Sequence, residues 1–107
     1  MGQRTRPRPK RLARKLRHIR DRLGLSQDGM VESLGLKDML TRERISAYEK
    51  GDREPSLPVL LRYAQIAGVW MDVLVDDGLD LPERLPASPK HEGIPRRPRS
   101  LTGRDRA

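Results

Sequence analysis

Between residues 12 and 77 the chain is punctuated so often that no long element fits. Gly24, Gly35, Gly51 and Gly68 each follow an apolar-periodic stretch, and Ser26, Thr41 and Ser56 stand where the next stretch begins. Serine and threonine accept hydrogen bonds from the free amides at a helix start, and glycine adopts the left-handed conformation that ends one. Between these signals Leu12, Leu16, Ile19 and Leu23 recur at helical spacing, as do Met30, Val31 and Leu34, then Ile45 and Tyr48. Leu57, Leu60, Leu61, Ala64 and Ala67 form a fourth stripe, and Met71, Val73, Leu74 and Val75 a short fifth. No segment alternates as a half-buried strand does, so the sequence predicts an all-α fold of five short helices.

Charge divides the chain into three parts. Residues 1–11 hold Arg4, Arg6, Arg8, Lys10 and Arg11 with no acid, and residues 81–107 are again rich in arginine and proline, whereas residues 12–80 are nearly neutral. The net charge of +8 over 107 residues therefore lies in the two ends. Proline and a shortage of apolar residues leave those ends little to offset the entropy of ordering. The expected organisation is a basic arm (1–11), a folded domain (12–80) and a disordered tail (81–107). Arginine-rich segments beside a neutral domain suit a polyanion partner, nucleic acid first and an anionic membrane second, with a merely solubilising role as the plainer reading.

Several function classes fit poorly. The chain has no cysteine, which removes disulfides, thiol nucleophiles and thiolate zinc sites. No stretch approaches the apolar length of a membrane span and no signal-peptide core follows the basic start, so the chain reads as cytoplasmic and nucleoid-associated. His18 and His91 read as surface residues rather than ligands or bases, and no glycine-rich phosphate loop is present. Asp72, Asp76, Asp77 and Asp80 gather near a helix end but lack the loop of a calcium site. Neither an enzyme nor a cofactor or metal is expected. Tyr48, Tyr63 and Trp70 are too few for a base-stacking platform and read as core or rim packing.

The third helix, 42–50 in "TRERISAYEKG", poses a sharper question. Ile45 and Tyr48 fall on one side at 100° per residue, while Arg42, Glu43, Ser46, Ala47 and Lys50 fall on the other. Thr41 supplies its cap, and Leu40 can staple against Ile45. An outer face so rich in hydrogen-bonding groups is either plain solvated surface or a recognition surface.

"LRHIRDRLGLSQDGMVESLGL" followed by "ISAYEKGDREPSLPVLLRYAQIAGVWMDVLVDD" resembles the helix-turn-helix domain of the Cro/CI or Xre family, to which the lambdoid phage repressors belong. The resemblance spans roughly 12–77 and rests on "GLSQ", "IS.YE.G.R.PSL" and "GV.MDVL" together. It implies a lambda-repressor-like domain whose third helix lies in the major groove of double-stranded DNA. The family's base-reading positions fall here on Arg42, Glu43 and Ala47, with Ser46 on the same face. Arginine can bond guanine O6 and N7, glutamate can accept from a cytosine amino group, and the alanine methyl can meet thymine. Ser26, Gln27, Thr41 and Lys50, with Arg53 in the next loop, match positions facing phosphates, and Arg20 and Glu49 match an ion pair that holds the third helix at its angle. Apart from the resemblance, Trp70, Met71, Val73 and Val75 exceed what one thin helix layer can bury, so a homodimer with a two-fold contact there is expected, the alternative being that they only close the monomer core. The family's members include antitoxins, so a protein-interaction module with a toxin partner is the alternative, and nonspecific nucleic-acid binding through the tails a third reading.

The chain departs from the family pattern in places. The turn between the second and third helices is longer than usual, with extra residues at 37–40 that must bulge outward or extend a helix. Gly29 replaces a helix former, Trp70 replaces a small capping residue, and both ends are basic.

Overall fold

The computed structural model describes residues 7–87 of the chain. These form five α-helices, α1 (Leu12–Arg22), α2 (Gln27–Leu34), α3 (Arg42–Lys50), α4 (Leu57–Ala67) and α5 (Met71–Val75), with no strand among the described residues. Ser26 Oγ accepts from the Gly29 amide at 2.9 Å, and Thr41 Oγ1 from the Arg44 amide at 3.3 Å, so each cap satisfies an amide that the helix leaves unpaired. Gly51, at φ 80°, ends α3 in the left-handed region that side-chain-bearing residues avoid.

α1 packs on α3 and α5, α2 on α3 and α4, and α4 closes on α5. Leu16, Ile19, Met30, Leu34, Ile45 and Leu74 are fully enclosed where these helices meet. Each such side chain contributes about 1.5–3 kcal/mol on leaving water. The fourth helix differs from its expected stripe. Leu57 and Leu61 are 72% and 44% exposed, and the buried face is instead Val59, Leu60, Tyr63, Ala64 and Ala67. Arg62, on the same helix, donates from Nε to the Leu34 carbonyl at 2.8 Å and satisfies the end of α2.

The extra residues of the turn neither continue α2 nor begin α3. The amides of Met39 and Leu40 both bond the Leu36 carbonyl at 2.9 Å, which makes one isolated turn. Leu40 is buried and Leu36 packs on the core, while Lys37, Asp38 and Met39 stand in solvent. The insertion therefore bulges outward, pinned at both ends by leucine.

Packing against the core continues past residue 80, where the sequence suggests a tail. Leu81, Leu85 and Ala87 pack against the core, and the Ala87 amide bonds the Ala67 carbonyl at 2.8 Å. Gly68 makes this approach possible, since a Cβ there would land on the Ala87 backbone. Residues 1–6, with Arg4 and Arg6 of the arm, and residues 88–107 of the tail lie outside the described residues.

Candidate nucleic-acid interface

A single polar network joins the three helices that frame the outer face of α3. Arg20 on α1 grips Glu49 on α3 with two parallel bonds, Nε to Oε2 at 2.6 Å and Nη2 to Oε1 at 3.0 Å. Its third nitrogen, Nη1, donates to the Leu25 carbonyl at 2.9 Å, just before α2. Gln27, the first residue of α2, donates from Nε2 to Glu49 Oε1 at 3.3 Å. The two charged side chains are only 12% and 4% exposed. Hydrogen bonding to the Glu49 carboxylate, more than the attraction of its charge, raises the Arg20 pKa above its ordinary value. A planar guanidinium bonded on all sides fixes three helices in angle as well as distance, which a lysine could not do.

On the outer face of α3, Arg42, Glu43, Arg44 and Lys50 are exposed, and Ser46 and Ala47 are half-buried. Arg42 lies between two carboxylates, Asp28 on α2 at 3.7 Å and Glu43 at 3.6 Å. Exposed pairs of this kind are weak, so the guanidinium can be drawn to a stronger bidentate partner. Ser26 and Thr41 serve as caps of α2 and α3 and are themselves exposed. Arg53 is exposed in the loop after α3, its amide bonded to the Ala47 carbonyl at 3.3 Å. The structure thus gathers Gln27, Arg20 and Glu49 into one network, and Arg42 and Glu43 onto one exposed turn.

Other polar residues came without a sequence signal. Lys15, inside the apolar stripe of α1, is buried and donates from Nζ to the carbonyls of Val73 at 2.7 Å and Asp76 at 3.0 Å. Burial lowers its pKa from the usual lysine value. Asp28, which pairs with Arg42, also carried no signal. Arg11, counted with the basic arm, turns back onto the domain: its guanidinium bonds the Asp77 carbonyl at 2.7 Å and pairs with the Asp80 carboxylate. The acidic group at the end of α5 is thereby largely occupied by the chain itself, since Asp76 Oδ1 accepts from the Gly78 amide.

A first short helix, a second ending in a left-handed glycine, a turn, and a third helix with its outer face open define a helix-turn-helix domain. A family model described as "Helix-turn-helix domain" matches residues 11–77, and the chain belongs to that family, a DNA-binding class. No curated protein and no solved structure matches the chain. Among the described residues no helix is long and apolar enough to cross a membrane.

Proposed function

We propose that this protein is a sequence-specific regulator of transcription that binds double-stranded DNA as a dimer and acts as a repressor, with α3 in the major groove. The observation that carries the reading is the Arg20–Glu49–Gln27 network, which sets the open face of α3 beside the N-terminus of α2. In that arrangement the free amides of α2 suit a phosphate, while Arg42 and Glu43 project toward base edges, Arg42 suited to guanine and Glu43 to a cytosine amino group. Ala47 and Ser46 complete the reading face, and Ser26, Gln27, Thr41, Lys50 and Arg53 meet backbone phosphate around it. Trp70, Val75 and Leu79, all more than a third exposed at and beyond α5, supply apolar surface for a two-fold contact.

Selection of bound duplexes from a random pool tests the reading. An inverted repeat with two similar half-sites is the expected result, because a symmetric dimer reads a symmetric operator. Recovery of sequences with no shared motif would reject specific recognition, and a single unrepeated motif would reject the dimer.

A further inference from the structure

The root of the basic arm is held by a carboxylate from the other end of the domain. Asp77 Oδ2 accepts from the Lys10 amide at 2.9 Å and Oδ1 from the Arg11 amide at 3.0 Å, across 67 and 66 residues of chain. Residues 7–11 possess few amides to hold them, because Pro7 and Pro9 have none. Of the three that remain, two are bound by this one side chain. Arg11 reinforces the contact through its guanidinium, which bonds the Asp77 carbonyl and the Asp80 carboxylate. Lys15 completes it from the opposite direction by satisfying the carbonyls at the end of α5.

What the anchor orients is visible one step up the chain. Arg8, Pro9 and Lys10 form one wall of an open cleft of about 260 Å³, whose other wall is Tyr48, Gly51, Arg53 and Glu54 at the C-terminal end of α3. Arg8 lies 4.0 Å from Glu54. Three cations, Arg8, Lys10 and Arg53, and one carboxylate, Glu54, thus line the cleft beside the proposed recognition helix. The excess positive charge fits a phosphodiester group.

We propose that Asp77 is a positioning residue for the basic arm: by fixing the Lys10 and Arg11 amides it directs Arg8 and Lys10 into the cleft at the end of α3, where they meet DNA backbone phosphate. This rests on the DNA-binding reading and adds to it a role for a residue that touches no DNA.

The test is a double-mutant cycle in the full chain between Asp77→Ala and the pair Arg8→Ala/Lys10→Ala, using a labelled mixed-sequence duplex over a range of salt. Asp77→Ala should lower the slope of log affinity against log salt by about 1.8, the value for two lost phosphate contacts. It should lower it no further in the Arg8→Ala/Lys10→Ala background. Equal losses in both backgrounds, or an unchanged slope, would overturn the proposal, because a merely structural Asp77 acts the same with or without the arm cations. Asp77→Asn keeps one acceptor oxygen of the two and should fall between, which preserves the test should the alanine variant fail to fold. Amide hydrogen exchange in the free protein separates the two layers. Lys10 and Arg11 amides that exchange no faster in either variant would refute the anchor itself. Faster exchange in the variants, with no duplex binding by the native chain, would refute the DNA-binding reading and the proposal's phosphate step together.

Discussion

The Tyr63 hydroxyl is buried without a hydrogen-bond partner among the described residues, and burial, more than its charged neighbours, pushes its pKa up. A buried donor left unmade costs about 1–3 kcal/mol, so Tyr63→Phe should leave stability unchanged or raise it by about 1 kcal/mol in urea titration. A loss would mean that a bound water satisfies the hydroxyl in solution. Glu49→Gln is expected to act in the opposite sense. It strips the counter-charge from a nearly buried guanidinium and should cost about 3 kcal/mol, and a cycle with Arg20→Ala should show strong coupling. Energetic independence of the two side chains would show that the network does not hold α3. These two sites also mark how far single residues could be read. Arg20 and Glu49 are surface-like by composition and came together only through the family resemblance. Lys15 carried no signal, because a lysine reads as solvated unless the carbonyls it will meet, 58 and 61 residues away, are known.

At the scale of the helix, α3 should separate specificity from affinity. Arg42→Ala and Glu43→Ala should each cost about 1–3 kcal/mol on the selected operator and relax one base position. Lys50→Ala should weaken all duplexes alike and lower the salt slope by about 0.9. Equal loss on operator and scrambled duplex for Arg42→Ala would show that the helix does not read bases. Helix ends were legible, because Ser26, Thr41, Ser56 and the glycines signal them through local chemistry that needs no tertiary context. The buried face of α4 was not. Leu57, Val59, Leu60, Leu61, Tyr63 and Ile66 surround that helix, so more than one stripe satisfies the helical period. Tyr63, read as core or rim, proved fully enclosed, and Leu57 and Leu61 were left outside. The long turn was readable as an insertion but not as a hydrogen-bonded turn pinned by Leu36 and Leu40, since nothing local fixes which of its apolar residues points inward.

For the whole domain, acid should act in part through the anchor at the end of α5. The Lys10 and Arg11 amides hold Asp77 below its ordinary 3.8, and the Arg11 guanidinium does the same for Asp80. A carboxylate with a depressed folded pKa contributes stability that is present above its unfolded value and lost as pH falls through the folded one. Urea midpoints should therefore hold steady above about pH 5 and decline below about 4, with a shallower decline in Asp77→Asn. An identical acid profile in that variant would show that other carboxylates govern the transition.

That same contact ties the backbone at Lys10 to the side chain of a residue 67 positions along the chain, so the domain is nearly a ring. A ring can be cut elsewhere. A circular permutant that joins Ala87 to Pro7 through a flexible linker, and opens the chain at Lys37–Met39, should fold with all five helices in place, because those three residues stand in solvent on an outward bulge. Circular dichroism and operator binding would reveal failure. Success would mean that the order in which the helices are synthesised is incidental to the surface they build.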